Sequence, residues 1–475
     1  MERGVGGLHR SDDTGKRLAP EPVEAKAARA EYELEEGNMS ATSMANHKSP
    51  GLLKVMERAK DPQFVFLSLA HLVDEDALTS AFHRLRKDAA AGVDGITKGQ
   101  YEQSLGDNIR DLHRRLRTMR WRHQPIRRVH IPKENGKTRP IGISTIEDKI
   151  VQDALREILE AIYEPVFREC SYGFRPGRGA HDALRSINRV RYETNWVLEA
   201  DIVSFFDSID RTMLMGMLQE RVVDGSLKRL IGKCLHVGIL DGKDLSEPDE
   251  GTVQGSVLSP LLGNVYLHHV LDVWFECDVL PRLQGKATLV RYADDLVIGF
   301  EREDDAKRVM AALAKRFERF GLTLHPEKTR LVPFRCPDRR DRSGKGPATF
   351  DFLGFTHFWR RTRSGTWTVG VKTRTASLRR FIVNIADWCR SHRHKPVKEQ
   401  HAALTRRIAG HFNYFGVNGN VSCLKHVQRV CGVVWHKWLN RRSQRASKNW
   451  DQFNDLLRMY PLPRAAVYVQ LWSSP

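Results

Sequence analysis

Two adjacent carboxylates stand in the middle of an otherwise apolar strand run, TLVRYADDLVIGF at 288–300. A run of that composition reads as a buried strand, yet Asp294 and Asp295 divide it into two halves. Neighbouring acids repel, and burial would push one of them toward neutrality. A divalent cation removes both difficulties, so the pattern predicts a tight hairpin turn that presents carboxylates to metal. A second donor is needed to hold two ions. WVLEADIV at 196–203 is another buried strand, and Asp201 at its end is placed to face the turn from a neighbouring strand. Two Mg²⁺ ions shared by Asp201, Asp294 and Asp295 would activate an attacking hydroxyl and stabilise a leaving pyrophosphate. Mg²⁺ takes a few carboxylates and fills its shell with water and phosphate oxygens, which fits three aspartates; Mn²⁺ is an alternative ion.

Charge points to the same class of partner. Lys and Arg total 77 against 58 Asp and Glu, a net charge of +19 over 475 residues. The excess is concentrated. Arg110 to Arg139 holds eleven basic residues and two acids, and His401 to Trp450 holds nine and none. A solvated helix face mixes both signs, so these stretches read as phosphate-facing surfaces. The seven cysteines form no CxxC pair, which excludes a zinc ribbon or disulfide scaffold and suits a reducing compartment. MERGVGGLHRSDD lacks the apolar core of a signal peptide, and no apolar run approaches the ~20 residues of a membrane span. The expectation is a soluble, cytoplasmic, nucleic-acid-associated protein.

Along the chain, residues 1–50 have little to bury and read as a mobile extension. The segment from Ser49 to Arg120 is helical in pattern. QPIRRVHIPKENGKTRPIGIST reads as a β-hairpin about an Asn-Gly turn, followed by a long amphipathic helix that ends before Pro165. The centre alternates strands and helices, and the periodicity from about Ser377 onward is helical. The fold class is α+β.

The motifs lie in a recognisable order: AGVDGIT at 91–97, IPKENGKTRPIGISTIEDKIVQDAL at 131–155, SYGFRPGRGAHDAL at 171–184 and ADIVSFFDSID at 200–210. GTVQGSVLSPLLGNVYLHHVLD at 251–272, RYADDLVIGF at 291–300, GLTLHPEKTR at 321–330 and DFLGF at 351–355 follow. From about Gly92 to the last helix the chain resembles bacterial group II intron-encoded reverse transcriptases with a maturase region.

That resemblance implies a right-hand polymerase: fingers at 51–190, palm with an antiparallel sheet at 191–356, and a helical thumb or maturase region at 357–475 with no endonuclease domain. Asp201 and Asp294 would be metal ligands, with Asp295 completing the site. Phe206 would lie beneath the incoming sugar and select deoxynucleotides, with core packing as the alternative. Asp207 reads as structural. Lys133 and Arg139 would grip the triphosphate; Arg127 and Arg128 would do this instead or contact template phosphates. Gln254 and Gly255 would approach the nucleotide, although Val253 and Ser256 depart from the family's Pro and Gly. Lys328 would protonate pyrophosphate or bind phosphate, and DFLGF would grip the primer end. In LTRRIAGHFNYFGVNGN and WHKWLNRRSQR, Trp435 and Trp438 read as core, and Arg441, Arg442 and Arg445 as RNA-binding.

The implied partners are template or intron RNA, primer or target DNA, and deoxynucleoside triphosphates. The implied activity is RNA-directed DNA synthesis that also assists splicing and mobility of an intron, in a bacterial cytoplasm with nucleoid or ribonucleoprotein association. Without a nuclease of its own the protein would depend on a nick, a replication fork or another primer. The alternatives are an RNA-binding splicing factor with dispensable polymerase activity, or a domesticated enzyme of repair or phage defence.

Overall fold

The computed structural model describes residues 48–475 except 133–137, 190–192, 242–243, 247–250, 253–254, 339–347, 363, 443–446 and 473–475. The expected extension at 1–50 therefore lies almost wholly outside the described residues, as do the ENGK turn and Arg445. The first part is helical: α1 (Pro50–Ala59), α2 (Glu75–Arg84), α3 (Lys98–Glu102) and α4 (Leu105–Arg117). The hairpin β1 (Ile126–Pro132) and β2 (Thr138–Ile143) follows, then α5 (Ile146–Tyr163).

Local chemistry sets the start of α5. Thr145 accepts the Asp148 N–H at 3.2 Å, and the Asp148 carboxylate accepts from the Thr145 hydroxyl at 2.7 Å and from the Gln124 N–H at 3.1 Å. Such a cap contributes about 1 kcal/mol. The helix then buries Ile150, Ala154, Leu155, Ile158, Leu159 and Ile162 at helical spacing. Each fully buried Leu or Ile contributes roughly 1.5–3 kcal/mol, so packing outweighs the cap. Leu155→Ala would cost about 2–5 kcal/mol.

The middle of the chain comprises α6 (Ala180–Arg189), β3 (Trp196–Ala200), α7 (Arg211–Gln219), α8 (Gly225–Leu235), β4 (Ile239–Asp241), β5 (Asp244–Ser246) and α9 (Ser259–Leu267). Helix α9 runs on into π-helical stretches at His268–Asp272 and Phe275–Val279. Next come β6 (Ala287–Tyr292), β7 (Asp295–Phe300), α10 (Glu303–Arg319), β8 (Arg330–Pro333), β9 (Phe350–Phe352), β10 (Phe355–Arg361) and β11 (Trp367–Thr373). Four helices finish the chain: α11 (Thr375–Ser391), α12 (Val397–Phe415), α13 (Val421–Asn440) and α14 (Trp450–Met459). The α+β class is borne out.

Among the described residues the strands form three sheets, ordered β2-β1-β4-β5, β6-β7-β3-β8 and β11-β10-β9. The second sheet is central, and strand alternation divides it between two cores. Leu198, Ala200, Leu289, Leu296 and Ile298 face the large core built on α5, α9 and α10. Val197, Val290, Val297 and Val332 face the opposite way, onto the β9–β11 sheet and α6. The C-terminal helices close over a third core around Phe412, Trp435 and Phe453. No helix of the described residues is long and apolar enough to cross a membrane.

Candidate active site

Strand β3 pairs antiparallel with β7, ending at Ala200↔Leu296, and β7 pairs with β6, ending at Tyr292↔Asp295. Continuing the first register by one residue sets Asp201 across from Asp295. Alternation puts both on the face that carries Val197, Glu199 and Val297. Facing residues in an antiparallel ladder have Cα atoms about 4.5–5.5 Å apart, so two acids from strands far apart in sequence come to the same face at one sheet end. Asp294 occupies the two-residue turn between β6 and β7, beside Ala293.

The turn is strained and supported. Ala293 has φ +54°, a left-handed conformation that disfavours a Cβ and costs on the order of 1 kcal/mol. The SYGF segment lies alongside it: the Tyr172 N–H donates to the Arg291 carbonyl at 2.9 Å, and the Arg291 N–H to the Cys170 carbonyl at 2.8 Å. A Cβ on Gly173 would fall 2.4 Å from the Ala293 nitrogen, so only glycine permits this approach. Arg291 itself is fully buried and paired with Asp272 at 2.6 Å. Burial works against its charge; Asp272 and, more remotely, Asp294 more than offset this, raising its pKa above the usual arginine value.

Lys328 is the other residue brought to the acids. The Ile202↔Leu324 bridge, and the His325 N–H donating to the Asp201 carbonyl at 2.8 Å, pin the HPEKT loop along the end of β3. From there Lys328 Nζ donates to Asp201 Oδ2 at 2.5 Å. Two positions earlier on β3, the buried Glu199 accepts from Arg330 Nε and from the Asp351 N–H. Burial pushes the Glu199 carboxyl up, against the pull of those two donors. This pair ties β3 and β8 to the DFLGF turn, whose Leu353 and Gly354 both have positive φ. The Leu353 carbonyl accepts from the Tyr414 hydroxyl at 3.0 Å.

The Phe206 ring is half-buried against Phe205, with centroids 5.1 Å apart, and both abut Gly263 of α9. The Phe206 carbonyl accepts the Thr252 N–H at 2.6 Å, which joins this turn to the loop before Gly255. Gly255 has φ +101°, and a Cβ there would fall 2.5 Å from the Gly142 carbonyl of β2. The Val257 N–H donates to the buried Gln152 of α5 at 3.1 Å. The hairpin and the 251–257 loop are thus in direct contact.

Other expected residues lie apart from the acids or outside the described residues. Lys133 and Gln254 are among the latter. Arg139 pairs with Ile131 in the β-ladder. Arg127 donates to the Ala91 carbonyl at 2.7 Å, and Arg128 lies 3.8 Å from the Asp241 carboxylate. Trp435 is fully buried and donates to Gln400 at 3.0 Å, whereas Trp438 is half-buried with Arg441 over its ring at 5.3 Å. Arg442 donates to the His394 carbonyl at 3.3 Å. Lys425, Arg429 and Lys437 are exposed on α13, where Lys425 neighbours Arg429 four residues on, and Lys437 neighbours the exposed Arg441 just past the helix end.

Among the described residues, no three His, Cys, Asp or Glu side chains close on one point as a complete metal cage. An open pair of facing carboxylates beside a turn aspartate is nonetheless the donor set Mg²⁺ uses when phosphates and water fill the remaining positions. Sequence reasoning missed the Arg291–Asp272 pair and the Glu199–Arg330 pair. The signal available for the first was a lone arginine inside an apolar strand.

Residues 131–357 match the family described as reverse transcriptase (RNA-dependent DNA polymerase). The group II intron-encoded protein LtrA of Lactococcus lactis subsp. cremoris is 38% identical over 201 residues, covering 42% of this chain and 34% of that protein. Protein YkfC of Escherichia coli (strain K12) is 32% identical over 276 residues, 50% of this chain and 72% of that protein. Nuclear intron maturase 4 of Arabidopsis thaliana is 32% identical over 120 residues, 25% of this chain and 15% of that protein. The match thus spans about a third of LtrA, while it covers most of YkfC. The chain belongs to the family of group II intron-encoded reverse transcriptases.

Proposed function

We propose that the protein is an RNA-directed DNA polymerase of the group II intron type, acting at Asp201, Asp294 and Asp295. The observation that carries this reading is the facing of Asp201 and Asp295 on one side of the central sheet, with Asp294 on the adjoining turn. Residues 191–356 then act as the palm, 51–190 as the fingers, and 357–475 as the thumb and maturase region. The three aspartates would hold divalent cations, Mg²⁺ in the cell, whose charge favours ionisation of a primer 3′-hydroxyl and offsets charge on departing pyrophosphate.

The chain's own residues supply the rest. Lys328, reaching the acids from the HPEKT loop, delivers a proton or a positive charge to pyrophosphate. Lys133 and Arg139 grip the triphosphate, and Gln254 and Gly255 approach the nucleotide with Phe206 beneath the sugar. The DFLGF turn, held by Tyr414, positions the primer end. Arg128, Arg445, the exposed Arg441 and Arg442, and the exposed Lys425, Arg429 and Lys437 offer cations to RNA phosphates. Assistance to intron splicing follows from the maturase and intron-encoded names of the relatives, and a part in intron mobility is proposed with it. Extension of a DNA primer on an RNA template by wild type but not by Asp294→Ala would support the reading. Equal extension by both would refute it.

A further inference from the structure

The side chain of Arg291 has five N–H donors, and in the buried centre of the protein each one has an acceptor. Nε and Nη2 grip Asp272 Oδ1 and Oδ2 at 2.9 and 2.6 Å. The second Nη2 donor goes to the Ser171 hydroxyl at 2.7 Å. Nη1 donates to Asn264 Oδ1 at 2.9 Å and to the Ala293 carbonyl at 3.0 Å. The last of these contacts lies inside the turn that carries Asp294. Asn264, 1% exposed on α9, then reaches the other side of the same turn: its Nδ2 donates to the Gly173 carbonyl at 2.8 Å. Gly173 is the residue whose backbone presses on the Ala293 nitrogen.

The turn is therefore held from both sides by one connected network. A guanidinium fixes the carbonyl of Ala293, and an amide shared with that guanidinium fixes the segment that backs its nitrogen. Ala293 sits at φ +54° without being glycine, a conformation that persists only where surroundings over-determine it. The anchor of the network, Asp272, lies at the end of the π-helical stretch His268–Asp272, and such stretches often mark functional sites. A buried arginine–carboxylate pair contributes little net stability compared with apolar packing. Its yield is geometric.

We propose that Asn264 and Arg291 are positioning residues that set the orientation of the Ala293 peptide, and through it the direction in which Asp294 and Asp295 present their carboxylates to a divalent cation. Neither touches the reacting atoms. The inference rests on the reading of these aspartates as the metal site.

The test is Mn²⁺ binding, followed by electron paramagnetic resonance, to the full-length protein in complex with a primer–template duplex. Wild type, Asn264→Ala, Asn264→Ser and Asp294→Ala are compared, with thermal unfolding and duplex affinity measured on each. The expected result is a roughly tenfold weaker Mn²⁺ affinity for Asn264→Ala. Partial recovery is expected in Asn264→Ser, whose hydroxyl restores one donor, with duplex affinity within about twofold of wild type throughout. Mn²⁺ affinity within twofold of wild type in both Asn264 variants, together with loss of binding in Asp294→Ala, would overturn this inference and leave the metal-site reading standing. Wild-type Mn²⁺ binding by Asp294→Ala would overturn both. If Asn264→Ala does not fold, Asn264→Ser decides by the same criterion.

Discussion

Lys328 donates to Asp201 Oδ2 at 2.5 Å from 127 residues further along the chain. The ammonium is 62% exposed and the carboxylate 19%, so water screens the pair, and its net worth to stability is at most about 1 kcal/mol. The contact matters for placement. Lys328→Ala should leave the unfolding temperature and duplex affinity nearly unchanged and lower the single-turnover rate of nucleotide addition by about 100-fold. A rate within threefold of wild type would show that Lys328 only screens Asp201.

Gly255 joins the hairpin to the 251–257 loop. At its φ of +101°, an added Cβ would stand 2.5 Å from the Gly142 carbonyl, and an alanine has nowhere to go because the obstructing atom is backbone. Gly255→Ala should separate hairpin from loop and raise the KM for deoxynucleotides about tenfold, with a smaller effect on kcat. Steady-state titration of one nucleotide on a homopolymer template reads this directly. An unchanged KM would place the loop away from the nucleotide.

Phe206 is half-buried, so truncating it removes little packing, about 1 kcal/mol. Phe206→Val should nevertheless increase ribonucleotide incorporation at least tenfold relative to deoxynucleotide, scored on primer-extension gels. Unchanged discrimination, with a fall in stability alone, would make the ring a packing element against Gly263.

His357 predicts an acid-sensitive fold. It is fully buried, stacked on Phe350 at 4.5 Å, and neither ring nitrogen has a hydrogen-bond partner among the described residues. Burial lowers its pKa from 6.5 to about 3. The unfolded chain therefore binds the proton more readily than the folded one between those values. Stability falls as pH drops through 6.5 toward 3, by about 2 kcal/mol between pH 7 and 5 for this one group. Asp148 opposes it, since burial pushes that carboxyl up to about 7 and favours the folded state as pH falls through the same range. The difference between variants isolates the histidine: His357→Phe should lose about 2 kcal/mol less than wild type between pH 7 and 5, measured by denaturant unfolding. Parallel curves would contradict it.

Much of this architecture was legible in the sequence because its signals are local. Hairpin alternation and an Asn-Gly turn mark β1 and β2, apolar periodicity and Thr145 mark α5, and an acid pair inside a strand run marks the β6–β7 turn. The aspartates were legible for the same reason, since two adjacent acids interrupting an apolar strand run stand out wherever they fall. What sets their geometry was not. Arg291, Asp272, Asn264 and Ser171 come from three separate segments, and nothing in their spacing announces that one guanidinium places four of its five donors on the other three side chains. The Glu199–Arg330 pair escaped similarly, because strand adjacency across 131 residues is a property of topology.

DNA synthesis on RNA at the turn between β6 and β7 is tested by single-turnover extension of a DNA primer on an RNA template with Mg²⁺. Wild type and Asp294→Ala are compared, with duplex affinity measured in parallel. The expected result is extension by wild type, loss of at least about 1,000-fold in Asp294→Ala, and equal duplex affinity for both. Extension by Asp294→Ala at a rate near that of wild type would contradict synthesis at this turn.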